Sequence, residues 1–155
     1  MPIPNGLTDA LIVLGCPESS VQTAITLYLA NKLKKEKIRV VVAGTRSAVN
    51  LIKVSDFERN YVDETVDLDR CIEDLAEKRI DFDLCFVFVH KDAGISYLAT
   101  MHSISDAQLF AIVSGGDAEA FESMIDFECE KIVAKTSHNP IPLKKRIDQV
   151  ITWDV

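Results

Sequence analysis

The sequence predicts a three-layer α/β/α sandwich, α/β in class, around a mainly parallel sheet of about six strands. Three observations predict it. Short apolar runs recur along the chain, each ends at a break marked by glycine or serine, and each break leads into a stretch of helical periodicity. The runs Ala10–Leu14, Ile38–Ala43, Leu84–Val89, Leu109–Val113 and Ile132–Ala134 are plain, and a weaker one stands at Asn60–Val62. In such folds the working surface lies at the carboxyl ends of the strands. The pattern therefore locates a site without naming its chemistry.

Taken in order, Ala10–Leu14 is the first strand, and the break Gly15-Cys16-Pro17-Glu18-Ser19-Ser20 leads into a helix from about Ser20 to Lys35. Ser19 with Gln22 matches a capping box, in which the hydroxyl satisfies a free amide and the glutamine reaches back. Lys32, Lys34, Lys35 and Lys37 complement the far end of the helix dipole. The second strand, Ile38–Ala43, ends at Gly44-Thr45-Arg46-Ser47, and the next helix carries Ala48, Leu51, Ile52 and Ser55 on one side. After the weak third strand, Asp63, Glu64, Asp67 and Asp69 form an acidic helix entry capped by Asp67, and Lys78-Arg79 closes that helix.

Leu84–Val89 is apolar on both faces, as an interior parallel strand must be. It stops at His90-Lys91-Asp92-Ala93-Gly94, and Ile95, Leu98, Ala99 and Met101 mark the helix beyond. The fifth strand ends at Ser114-Gly115-Gly116-Asp117, before a helix with Phe121, Met124 and Ile125. The last ends at Thr136-Ser137-His138-Asn139-Pro140, where Asn139 caps and Pro140 takes a first helical position that needs no amide hydrogen.

Length and composition fit one domain over residues 1–155, with residues 1–8 as a flexible lead-in. A hydrophobic content of 48% supplies a core, and the net charge of −7 disfavours nucleic acid and anionic membrane surfaces as partners. No apolar run approaches the ~20 residues of a membrane span. The opening residues carry no cationic stretch before an apolar one, so no secretory signal is read there and a cytoplasmic protein is expected. Cys16, Cys71, Cys85 and Cys129 are widely spaced with no C-x-x-C pair, which is neither a disulfide framework nor a zinc knuckle. Cys71, Cys85 and Cys129 fall on core faces or at strand ends, whereas Cys16 stands in a loop.

The breaks need glycine for positive φ and hydroxyl or amide residues for caps, which accounts for Gly15, Ser19, Gly44, Gly116 and Asn139. It does not account for Cys16, His90, Lys91 or His138. The first loop fails the dinucleotide fingerprint, because Pro17 stands where a glycine must admit a pyrophosphate, and it has no P-loop lysine. Ser19, Ser20 and the helix amides can still hold an anion. Thr45-Arg46-Ser47 is a partial counter-signal, since an arginine in that turn accommodates a 2′-phosphate.

Cys16 precedes a helix N-terminus, which lowers a thiol pKa, while Glu18 beside it opposes thiolate formation. With strand order 3-2-1-4-5-6, Cys16 and His90 flank one crevice and form a candidate pair for nucleophilic or acid–base work. His138 then lies about three strands away, ~14 Å, so a Cys16/His90/His138 metal triad needs a loop to fold back. No metal is assigned, and no cofactor is identified. The crevice is expected to take a small anionic ligand through Gly15, Ser19, Ser20, Thr45, Arg46, Ser47, Lys91, Gly115 and Gly116, with Gly115–Asp117 as its far wall.

The leader Leu14-Gly15-Cys16-Pro17-Glu18-Ser19 with Val21-Gln22, the valine-rich second strand, Asp63-Glu64 with Val66-Asp67-Leu68, and His138-Asn139-Pro140-Ile141-Pro142-Leu143 with Arg146-Ile147-Asp148 carry a resemblance. On these residues the chain resembles a small family of uncharacterised proteins from methanogenic archaea, a domain of unknown function. The resemblance implies a Rossmann-like α/β/α fold in an oligomer and supplies no catalytic residue. Two functions follow as expectations. One is a small-molecule or anion site using Cys16 and His90; the other is a non-catalytic interaction or assembly protein assisting a methanogen enzyme or cofactor pathway. The tail Ile151–Val155 holds the chain's single tryptophan, Trp153, whose large apolar surface must be covered by its own domain or by a neighbour. A homodimer is expected on that ground.

Overall fold

The computed structural model describes residues 1–17 and 19–154; Glu18, expected to oppose ionisation of Cys16, and Val155 lie outside the described residues. Six strands alternate with six helices: β1 (Asp9–Leu14), α1 (Ser20–Lys35), β2 (Arg39–Gly44), α2 (Arg46–Ser55), β3 (Glu64–Asp67), α3 (Leu68–Ala76), β4 (Leu84–Val89), α4 (Asp92–Ile104), β5 (Gln108–Ser114), α5 (Ala118–Ser123), β6 (Glu130–Ala134) and α6 (Ile141–Val150). The strands form one sheet in the order β3-β2-β1-β4-β5-β6, with every pairing parallel. This is the expected α/β/α sandwich. The chain reverses direction across the sheet between β1 and β4, where Leu11 pairs with Cys85 and Val13 with Val87.

The period of two along each strand sorts its side chains between two cores. Ile12, Val42, Phe86 and Ile112 pack under α1, α2 and α6, while Leu11, Val41, Val87 and Val113 pack under α3, α4 and α5. Phe86 and Phe110 stack at 4.6 Å between ring centroids, which fills the first core at its centre. All six residues of β4 are buried, which explains its unbroken apolar run.

Three sequence expectations about the elements are corrected. The third strand is Glu64–Asp67, not Asn60–Val62. The buried Asp56 carboxylate accepts the amides of Asn60, Tyr61 and Val62 at 2.8, 3.2 and 2.9 Å, so those amides are taken by a turn. Asp63 and Glu64 thus belong to the entry of a strand and not of a helix, and Asp63 accepts the Val40 amide. On α2, Leu51 is exposed, as is Ser55, and Val49 is buried in their place.

Residues 1–8 make contacts with the rest of the fold. Pro2 bridges Thr152, the Met1 ammonium donates to the Val150 carbonyl, and Ile3 and Leu7 lie on the first core. Trp153 also returns to its own domain: its ring packs on that core and its indole N–H donates to Asp148, which accepts from Tyr28 and Lys144 as well. The expected reason for a partner is thereby satisfied within one chain.

Helix α4 approaches β4 so closely that a Cβ on Gly94 would stand 2.7 Å from the Val89 Cα and 2.8 Å from the Phe88 carbonyl oxygen. Both obstacles are backbone. Gly94→Ala gains helix propensity of ~1 kcal/mol, yet the overpacking costs ~1–3 kcal/mol. A net loss of stability is expected in urea unfolding, and an unchanged or raised midpoint would contradict the packing.

Candidate functional site

The carboxyl edge is assembled by the turns after β1, β4, β5 and β6. After β1, Gly15 lies against the Tyr97 ring of α4, and its carbonyl accepts the Thr45 hydroxyl at 3.1 Å. Thr45 also caps α2 by accepting the Ala48 amide. Ser19 caps α1: its Oγ accepts the Val21 amide at 3.2 Å and donates to the Ser137 carbonyl at 3.0 Å. This bond joins the first and last turns of the sheet, so the final loop does fold back toward α1. His138 itself is exposed. Among the described residues, no group of three His, Cys, Asp or Glu side chains is placed to hold a metal ion.

His90 follows directly on β4 and is half-buried, with Nδ1 3.4 Å from the Ser114 hydroxyl. Its ring rests on Gly115, where a Cβ would stand 2.9 Å from Cε1 and Nδ1. Gly115 has φ +100°, so both the backbone and the ring require glycine there. The Gly115 amide donates to the Thr136 carbonyl at 2.6 Å, which anchors this turn to the last one.

Cys16 and His90 border the same cavity, together with Gly15, Lys91, Gly94 and the buried Gln22. It is small, about 10 Å³, which is room for one water molecule. The expected broad crevice is corrected to this narrow cleft. Thr45 is spent on the α2 cap and the Gly15 carbonyl, while Arg46, Ser47 and Ser20 are exposed away from the lining. Gly115 supports His90 from behind, and Gly116 is open to solvent. Larger hollows lie at the opposite, amino edge of the sheet: about 600 Å³ beside His102, Gln108 and Glu130, and about 470 Å³ beside Asp9, Arg39 and Arg70.

Gln22 is the cleft residue that sequence reasoning misplaced. As a capping-box partner it is expected to reach back to the cap; it is 5% exposed and borders the cavity. The signal was its position in the first turn of a helix that begins beside Cys16. Phe88 and Ala93 complete the lining, Phe88 being the last β4 residue on its face and Ala93 opening α4.

Electrostatics distinguish the four thiols. Burial pushes Cys71 up to about 11, raises Cys85 further still, and raises Cys129. Cys16 is exposed, Cys71 and Cys85 are buried, and Cys129 is half-buried. Helix α4 adds a polar feature to the cleft. Its N-cap, Lys91, makes no side-chain bond to the helix amides, which is also true of Asp117 on α5 and Pro140 on α6, whereas Ser19, Thr45 and Asp67 close α1, α2 and α3.

Comparison with known proteins places this geometry. The family described as "Domain of unknown function (DUF1890)" matches residues 11–150. The chain is 30% identical over 152 residues to Uncharacterized protein MJ0452 of Methanocaldococcus jannaschii, covering 94% of this chain and 98% of that one. A solved structure, "Structure of MT0777", is similar at 42% identity and a TM-score of 0.84, covering 92% of this chain and 95% of that one. S. aureus TarJ shares the fold alone, at 15% identity and a TM-score of 0.51 over 95% of this chain and 43% of its own.

Brief alkylation of the folded protein at neutral pH should modify Cys16 first, because the other thiols are shielded and held protonated by burial. Peptide mass analysis reads the order. Labelling of Cys71 or Cys85 at the same rate as Cys16 would contradict it.

Proposed function

The chain belongs to the DUF1890 family, and we propose that it binds the terminal carboxylate or phosphoryl group of a small molecule in the cleft between the β1 and β4 turns. One observation carries this reading: the N-terminus of α4, closed by no side chain, opens onto the cavity that Cys16, Gln22, His90 and Lys91 share. The first amides of a helix have no partner within it, and the helix dipole favours negative charge there. The cavity's size suits a single ligand oxygen in place of one water, with the body of the ligand held outside against Lys91. Cys16 and His90 are then the candidates for nucleophilic or acid–base work on the bound molecule. Nothing in the cleft favours a nucleotide, since Thr45, Arg46 and Ser47 stay outside its lining.

A cytoplasmic setting belongs to this reading. It is supported by four free cysteines, and among the described residues no helix is long and apolar enough to cross a membrane. The net charge of −7 argues against nucleic acid as a partner.

The second reading, a non-catalytic interaction protein that forms a homodimer, is favoured by a separate observation. Leu51, Val54, Phe57 and Tyr61 are exposed together around the end of α2. Trp153 gives that reading no support, since its own domain covers it.

Titrating the ¹⁵N-labelled protein with inorganic phosphate tests the first reading. Saturable shifts are expected at the amides of Asp92 and Ala93, the Gly94 amide being already bonded to the Lys91 carbonyl, and in the turn after β1, and Lys91→Ala should weaken binding about two- to fivefold. Shifts confined to other parts of the fold, or none that saturate, would overturn it.

A further inference from the structure

We infer that the face formed by the end of α2 and the turn before β3 is an interface, and that a second copy of this chain, related by a two-fold axis, occupies it. The inference rests on the interaction reading for its premise that the apolar face has a partner, and it shares no residue with the anion cleft.

The face is built, not incidental. Val54 and Phe57 are 76% and 83% exposed, with Leu51 and Tyr61 beside them. An exposed aromatic on a loose loop would carry little meaning. Phe57 instead sits in a turn fixed from several sides. Asp56, 6% exposed, donates its amide to the Ile52 carbonyl and accepts three amides on its carboxylate; Arg59 holds φ +56°; and the Lys34 ammonium donates to the Asn60 carbonyl. A buried carboxylate and a left-handed non-glycine residue both cost free energy. The hydrogen bonds that offset these costs order the backbone of the turn, so Phe57 has little backbone entropy left to lose on association.

The same face has a place to receive such a ring. A groove of about 290 Å³ runs beside Phe57, where Ile52, Val54 and Val62 form an apolar strip between the charged Lys53, Arg59, Asp63 and Glu64. Projection and groove on one surface are what a two-fold contact needs, because each copy must supply both halves. The charges agree. Lys53 and Arg59 line the groove and Glu58 follows Phe57 in the chain, and these three take part in no salt bridge among the described residues. Turned on itself, the face can set either cation against the second copy's Glu58. The free edge of β3 offers a different route, a sheet continued across the axis. Antiparallel pairing of Glu64–Asp67 with itself would oppose Glu64 to Asp67, like charges facing, and is disfavoured. Side-chain packing of Phe57 into the groove is the favoured contact.

Sedimentation equilibrium of the intact protein over a concentration series, from sub-micromolar to hundreds of micromolar, tests this. The wild type is expected to dimerise, and Phe57→Asp and Val54→Asp should each raise the dissociation constant about a hundredfold or more, since each change acts twice in a two-fold interface. Both positions are exposed, so circular dichroism should be unchanged and the thermal midpoint should match that of the wild type at concentrations where it is monomeric, and agreement of two variants separates lost association from misfolding. Trp153→Ala should leave the dimer intact. A wild type that stays monomeric throughout the series would overturn the inference. So would a dimer that survives both substitutions, or one that is lost only with Trp153→Ala.

Discussion

The carboxyl edge depends on one close contact, the seating of α4 on the end of β4 at Gly94. With no Cβ at that position, the helix starts almost on top of the strand, within van der Waals reach of Val89 and the Phe88 carbonyl. His90 and Lys91 are squeezed into the turn between them and come to lie beside Gly15 and Cys16 at the reversal of the sheet. A longer connection would let α4 stand off from the strand and from the cleft. The wall behind follows the same rule at Gly115, where the His90 ring occupies the space that a side chain would need.

Around this contact the turns hold one another. Ser19 reaches Ser137, Thr45 reaches Gly15, and Gly115 reaches Thr136, so the turns after β1, β2, β5 and β6 are joined by single hydrogen bonds. Each is worth only ~0.5–1.5 kcal/mol net. Their effect is positional, because they fix which groups line the cavity and keep it to the size of one water. A cleft this narrow has room for about one water-sized group.

What was legible in the sequence follows burial. The strands at the centre of the sheet are covered on both faces, and their continuous apolar runs announced both their places and the switch between β1 and β4. Cys16 and His90 were legible as neighbours for the same reason, since strand order alone brings their turns together. β3 was not. It is a four-residue edge strand with partly exposed side chains, and the more apolar segment just before it is consumed by the Asp56 turn. Gln22 was hidden because a first-turn glutamine reads equally well as a cap or as an inward group. Residues 1–8 and Trp153 are held by long-range contacts such as Met1 to Val150 and Trp153 to Asp148, which no local pattern encodes. Leu51 was illegible as a surface residue, because apolar periodicity alone does not fix which side of α2 faces the core.

The chain thus carries two candidate working surfaces, a polar cleft at the carboxyl edge and an apolar face beside β3, while its larger hollows lie at the amino edge. The central claim is that small anionic ligands choose the cleft in spite of its size. Crystals of the native protein soaked with a panel of small carboxylates and phosphate esters test it most directly. The account predicts ordered density with one oxygen at the α4 amides, between Cys16 and Gly94. Density confined to the amino-edge hollows or to the α2 groove, with the cleft holding no ligand, would contradict it.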